Sequence, residues 1–169
     1  MALDTSSVSL SVTGSQSSAL ALSTGVAQIA RNYQMLLSTG TGANQADRIY
    51  HAQPTLAASG TATLDLAGVL TDIFGATVTF ARIKAMVVAA AAGNTNNVIV
   101  GNSATNGFIT WVGGATHTVT VRPGGVFALY APDATAYAVT AATADLLLFT
   151  NSAAGTGVTY DVILIGASV

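Results

Sequence analysis

Electric charge is scarce in this chain, and this scarcity limits the possible folds more than any other feature of the sequence. Only 7% of the 169 residues are Asp, Glu, Lys or Arg, against about 25% in typical soluble domains. All seven acidic residues are aspartates, and Lys84 is the sole lysine. Because glutamate and lysine are the usual residues of exposed helix faces, their near absence favours an all-β fold.

The same scarcity predicts that much of the protein surface is covered. Five basic and seven acidic residues give twelve charges in a chain of 16.8 kDa. A folded monomer of this mass exposes roughly 7,600 Å², or about 640 Å² for each charge. Soluble monomers usually carry more charge than this. We therefore expect contact with further copies of the chain or with a larger assembly.

Composition also argues against several classes of partner. The basic residues are scattered and form no stripe that could follow a phosphate backbone, so direct nucleic-acid binding is not expected. The chain has no cysteine, which excludes disulfides and thiolate metal sites. Its longest apolar run, residues 85 to 92, is far shorter than the roughly 20 residues of a membrane-spanning helix. The N-terminus lacks the pattern of a secretory signal, so we expect synthesis in a cytoplasm without export and no membrane partner.

The clearest hairpin pattern of the sequence is in residues 116 to 131, THTVTVRPGGVFALYA. Its first half is rich in β-branched residues, which favour strands. Pro123 presets the backbone angle needed at the second position of a tight turn, and Gly124 accepts the positive φ of a type II turn. Similar strand and turn patterns recur along the chain and predict about nine to eleven short strands, the spacing of a sandwich or barrel.

The longest strand candidate is residues 77 to 92, TVTFARIKAMVVAAAA. Ile83, Ala85 and Val87 share one side of this strand, and that side is wholly apolar, so we expect it to face the core. Arg82 and Lys84 share the other side. The alternation therefore predicts that both cations are exposed.

The first 41 residues differ in composition from the rest of the chain. Val8, Leu10 and Val12 alternate with serines, as expected for a strand with one solvated face. Residues 26 to 37, VAQIARNYQMLL, fit a helical stripe or a strand, and we favour the strand. The segment is either an arm that pairs with a neighbouring subunit or an ordinary first strand of the core. We accordingly divide the chain into residues 1 to 41, an N-terminal strand or arm, and residues 42 to 169, a sandwich domain.

Residues for catalysis or metal binding are few. His51 and His117 are the only imidazoles, and no GxSxG sequence surrounds a serine. His117, among alternating threonines, is expected to face solvent, and His51 to be a structural histidine. No HxH, HExxH or DxDxDG spacing brings metal ligands together. We predict a protein that is not an enzyme and that holds no metal or cofactor.

Contact residues are easier to nominate than catalytic ones. Asn106-Gly107 indicates a turn that leads into a strand at residues 108 to 112, and both sides of this strand are apolar. Phe108 and Trp111 therefore lie either in the core or at a contact. Arg122 is a solvated turn residue or one of few charged anchors for a partner. Arg31 and Tyr33, on one side of the N-terminal strand, complete the predicted interface.

Five segments resemble virion structural proteins of tailed bacteriophages. They are ADRIYHAQPTLAAS (46–59), DLAGVLTDIFG (65–75), AAGNTNNVIVG (91–101), TVTVRPGG (118–125) and TADLLLFTNSAAGTGVTYDVILIGAS (143–168). The resemblance extends over residues 42 to 168 and does not include the N-terminal segment. It implies a jelly-roll-like antiparallel β-sandwich that forms dimers or trimers. It also implies a cement or decoration protein that binds the major capsid protein on the capsid exterior.

A second function from a different class is a tail-fibre or receptor-binding module. Trp111 and the tyrosines would then stack on host glycans. Copy number separates the two functions, because a cement protein is present in hundreds of copies per particle and a fibre in tens or fewer.

Overall fold

The computed structural model describes residues 3 to 169, and within that range the regular structure consists of strands alone. The strands are β1 (Thr5–Ala19), β2 (Thr24–Thr39), β3 (Gln45–Ala46), β4 (Arg48–Ala52), β5 (Thr55–Leu56), β6 (Thr61–Asp65), β7 (Leu70–Thr71), β8 (Thr77–Val78), β9 (Arg82–Ala90), β10 (Val98–Gly101), β11 (Thr118–Val121), β12 (Val126–Tyr130), β13 (Tyr137–Ala138), β14 (Leu146–Asn151) and β15 (Val158–Ala167). The predicted all-β fold is confirmed.

Eight of these strands form a two-sheet sandwich. One sheet has the order β11-β10-β14-β6, and the other has the order β12-β9-β15-β4, with β13 and β5 pairing at its margins. All neighbours in the two sheets are antiparallel. Numbered one to eight along the chain, the strands pair as 5-4-7-2 and 6-3-8-1. This is the jelly-roll arrangement of two interlocked Greek keys, as the resemblance implied.

The main core lies between the two sheets. Inward side chains of β9 and β15, such as Met86, Val88 and Leu164, are fully buried against Leu147 and Phe149 of β14. Phe149 stacks on Tyr160 with 4.8 Å between the ring centroids. Burial raises the pKa of the Tyr160 hydroxyl far above its ordinary value, and the nearby Tyr50 adds to the effect.

The turn between β11 and β12 has the predicted geometry. Gly124 has a φ of 71°, and the Gly125 amide donates a 2.7 Å hydrogen bond to the carbonyl of Arg122. A positive φ at the residue after proline is the signature of a type II turn. This hairpin prediction is confirmed.

The predicted orientation of β9 is right for Ile83, which is fully buried in the main core, and wrong for Ala85 and Val87. Met86 and Val88 face the core, whereas Val87 lies half-buried on the outer face of the six-stranded sheet. A register shift lies between Ile165 and Gly166, whose partners are Ala85 and Ile83, so Lys84 is an extra, unpaired residue. Such a bulge interrupts the simple alternation of a strand. Consequently Lys84 is fully buried and Arg82 half-buried, where both were expected to be exposed.

The predicted strand at residues 108 to 112 is also absent from the described structure. Asn106 adopts a positive φ of 51°, but Gly107 does not, so the type I′ turn that Asn106-Gly107 indicates is not formed. The following residues do not pair as a strand, because the Val112 amide donates a 3.0 Å hydrogen bond to the carbonyl of Ile109 and closes another turn. The alternation of apolar residues here reflects a loop packed on the core.

Candidate functional site: the N-terminal arm and the outer sheet face

The longest pairing in the chain is the hairpin of β1 and β2, which we call the arm (residues 5–39). Fifteen residue pairs join its strands, from Thr5 with Ser38 to Ala19 with Thr24. At about 3.3 Å per residue, the arm is roughly 50 Å long. The strand predicted at residues 26 to 37 lies within β2 and is confirmed. Most arm residues are exposed, which explains why the accessible surface of 8910 Å² exceeds the roughly 7,600 Å² expected for a compact monomer.

One face of the arm is apolar and the other is polar. Register places Leu10 opposite Tyr33 and Gly14 opposite Ile29 on the apolar face. The opposite face is lined mainly by Ser, Thr, Asn and Gln. The apolar side chains beyond the base remain about half exposed: Leu10 54%, Val12 44%, Ile29 53% and Tyr33 53%. An apolar patch of this kind usually marks an interaction site.

The base of the arm is anchored on the outer face of the six-stranded sheet. Met35 and Leu37 are only 3% and 1% exposed, and they form a second core cluster with Ala85 and Ile165. Val8 of β1 packs against the same cluster. The apolar face of the arm is therefore buried on the sheet at its base and exposed to solvent beyond the base.

Lys84 holds the segment that follows the arm. Its Nζ donates hydrogen bonds to the carbonyl of Gly42, at 3.2 Å, and to the carbonyl of Asp133. Desolvation lowers the pKa of Lys84, the negative charge of Asp133 opposes that change, and Arg82 adds to it. The carboxylate of Asp133 accepts hydrogen bonds from the amides of Ala136 and Thr135, and these bonds lower its pKa. The buried amine thus ties the foot of the arm to the loop after β12.

The rest of the outer sheet face is apolar and open; we call it the open rows. It consists of the row Val126, Ala89 and Asp161 and the row Ala128, Val87, Ile163 and His51. Val126 is 66% exposed, Ala128 and Asp161 are exposed, and Val87 and Ile163 are half-buried. Both faces of this sheet are therefore apolar, the inner one buried and the outer one partly open.

A groove of about 400 Å³ lies beside the foot of the arm. Its apolar lining includes Ile49, Ile73, Phe74 and Val78, and Phe74 is 68% exposed. Asp72 accepts hydrogen bonds from the amides of Phe74 and Ala76, so its carboxylate is engaged in the local turn. The groove extends the apolar surface at the base of the arm, and its lining also includes Asp4, Asp47, Arg48 and His51.

The five predicted interface residues lie in three places: the arm, the main core with its margin, and the turn between β11 and β12. Arg31 and Tyr33 are exposed on the apolar face of the arm. Phe108 is 2% exposed in the main core, and Trp111 is half-buried at its margin. The indole Nε1 donates a 2.9 Å hydrogen bond to the carbonyl of Phe108 and its ring lies 5.6 Å from Phe127. Arg122 is exposed in its turn, and the role of all five in contacts stays a prediction.

No group of three or more His, Cys, Asp or Glu side chains in residues 3 to 169 is placed to hold a metal ion. His51 and His117 are both exposed. Across the same residues there is no helix with the length and hydropathy needed to span a membrane.

The alternation in β9 did not predict the open rows, because Val87 was expected in the core; only Ile83, before the bulge, was placed there correctly. The signal available was the apolar character of both sides of β9 and β15. Strands that are apolar on both sides are covered on both sides.

Comparisons with protein-family models, with curated proteins and with solved structures find no match to this chain.

Proposed function

We propose that this chain is a non-enzymatic structural protein of a tailed-bacteriophage head, which oligomerises and binds the capsid exterior as a cement protein. The observation that carries the proposal is the arm, a hairpin of roughly 50 Å whose apolar face, beyond its base, remains exposed in the described structure. Such a face is useful to a protein only if another molecule covers it. The resemblance of residues 42 to 168 to virion proteins is the reason for proposing a phage particle as the assembly that covers this face.

Low charge supports the same proposal. A subunit that is covered on several sides loses water from its polar groups, and this loss is costly for charges. Residues 5 to 39 contain a single charged side chain, that of Arg31. A jelly roll is an architecture that viral capsid proteins use, although a fold alone does not assign a function.

Cementing follows from mass action. A protein that binds only the assembled shell stabilises that shell by an amount that grows with the concentration of free protein relative to its Kd. The major capsid protein is the proposed partner, and contacts made by apolar side chains and backbone groups suit the composition of this chain.

The test is to add purified protein to phage heads assembled without it. We expect saturable binding in hundreds of copies per head and a higher melting temperature of the shell. Absence of binding, with an unchanged melting temperature, would refute the cement function. Binding confined to tens of copies at one vertex or at the tail would instead assign the protein to a fibre or receptor-binding structure.

A further inference from the structure

We infer that the free part of the arm's apolar face packs on the open rows of a second copy of this chain, with Arg31 facing Asp161 of that copy. This contact specifies the oligomerisation included in the proposed function and rests on it to that extent. It concerns only the isolated protein, so it can be tested without capsids.

The base of the arm shows which surface its apolar face fits. Met35 and Leu37 are buried there on Ala85 and Ile165, which belong to the outer face of the six-stranded sheet. The open rows continue that same outer face with Val87, Ile163 and their neighbours. A second copy therefore offers the free part of the arm the kind of surface on which its base is already packed.

The two surfaces carry complementary patterns. Along one face of β2 the order is Met35, Tyr33, Arg31, and along the outer face of β15 it is Ile165, Ile163, Asp161. In each case a charged residue lies four positions, or about 13 Å, from a buried apolar residue. Arg31 is the only charged residue of the arm, and Asp161 is exposed and negative.

The area is sufficient for a stable contact. The free part of the arm, residues 10 to 19 and their partners, is about 33 Å long and 10 Å wide, or roughly 330 Å². The open rows measure about 13 Å by 19 Å, or roughly 250 Å². The open rows can cover only about 250 Å² of the arm, so when two copies exchange arms about 1,000 Å² is covered in total, which reaches the roughly 1,000 Å² that a specific interface needs.

The exchange also explains the exposure of large apolar side chains on both surfaces. Val126 on the open rows is 66% exposed, and Leu10, Ile29 and Tyr33 on the arm are each more than half exposed. Reciprocal contacts of this kind close into a dimer or a ring of a few copies rather than an open fibre when the rotation between copies closes.

The experiment measures the mass of the full-length protein in solution by sedimentation velocity over a range of concentrations. We expect the unaltered chain to form a discrete dimer or trimer. Tyr33→Asp should raise the Kd of association at least a hundredfold, because it places a charge in the contact. Ser11→Asp is the matched control, since Ser11 lies on the polar face of the same arm, and it should leave the mass unchanged.

A charge exchange tests which surface receives the arm. Arg31→Asp and Asp161→Arg should each raise the Kd about tenfold or more, and the double variant should restore most of the affinity. Circular dichroism of each variant checks that the sandwich remains folded. A monomeric unaltered chain overturns the inference, as does equal weakening by Tyr33→Asp and Ser11→Asp. Dissociation by Arg31→Asp without rescue by Asp161→Arg also overturns it and points to contact between arms.

The cement function and the contact between two copies can be refuted separately. If the variants dissociate as expected but the oligomer does not bind heads, the inference stands and the cement function falls. If the unaltered monomer binds heads in hundreds of copies, the cement function stands and the inference falls.

Discussion

Replacing Asn151 with leucine should lower the free energy of unfolding by about 4 kcal/mol. Asn151 is only 2% exposed, near one end of the sandwich. Its Nδ2 donates hydrogen bonds to the carbonyls of Ala57, at 2.9 Å, and Thr156, at 2.8 Å. Its Oδ1 accepts from the side chain of Asn96 at 3.0 Å and from the amide of Ala153 at 3.3 Å. One side chain therefore joins three loops.

The magnitude follows from those four hydrogen bonds. Each contributes about 1 kcal/mol net, and a buried group that loses its partner costs about 1 to 3 kcal/mol. Leucine leaves the carbonyls of Ala57 and Thr156 and the amide of Ala153 without this partner. Burial of the leucine side chain returns up to about 2 kcal/mol, so a loss near 4 kcal/mol remains from a gross cost near 6 kcal/mol.

Urea denaturation followed by tryptophan fluorescence, at one fixed protein concentration, measures this loss. With a slope of about 2 kcal/mol per molar urea, the midpoint should fall by about 2 M. Thr63→Val is the matched control, because Thr63 is exposed on β6, and its effect should stay within about 0.5 kcal/mol. A loss below about 1 kcal/mol for Asn151→Leu would show that the network does not hold the loops together.

Three further outcomes are expected. Trp111→Ala should cost about 3 kcal/mol of monomer stability, because the indole packs on Phe127 and bonds to the Phe108 carbonyl; weakened association with unchanged stability would contradict this. The raised pKa of Tyr160 contributes stability that is present below about pH 10, its unfolded pKa, and lost as the pH rises further. Tyr160→Phe should therefore reduce the alkaline loss in pH-dependent melting, and an unchanged profile would refute it. Gly166→Ala should cost at least about 2 kcal/mol in urea denaturation, since a Cβ there would meet the Arg82 carbonyl and Phe80; a neutral result would show that the bulge relaxes.

The sequence predicted those parts of the fold that depend on local chemistry. Low lysine and glutamate content predicted strands, and Pro123-Gly124 predicted the turn that the structure contains. These succeed because strand preference and positive φ are properties of single residues and their neighbours. The jelly-roll order came only from the resemblance, because pairing between strands distant in sequence leaves no local mark.

The prediction of which residues of β9 face the core failed after Ile83, and the reason is physical. Alternation identifies a buried side only when the other side is solvated. Here Val88 faces the main core and Ala85 lies under the arm, so both sides are apolar. The bulge at Lys84 then shifts the alternation by one residue. No count of apolar positions in β9 alone could have revealed a lysine that is buried to bond two distant carbonyls.

Only part of the candidate site could be predicted from the sequence, because alternation shows which residues share a face but not what covers that face. Alternation in β1 correctly separated Leu10 and Val12 from the serines. It could not show that these side chains remain exposed, because a core strand and an arm have the same pattern until the partner of the apolar face is known. The pairing of β1 with β2 alone along most of their length decides between them.

The arm and the open rows are two surfaces on which charge is especially scarce. Thirty-five residues, from 5 to 39, carry one cation, and Asp161 is the one acidic residue in the open rows. Lys84, another of the five basic residues, is buried and bonded to two carbonyls. Surfaces that remained in water would gain solubility from charge, whereas surfaces that are covered on assembly would lose stability through its desolvation. The low charge of the chain is therefore the composition expected if these two surfaces meet.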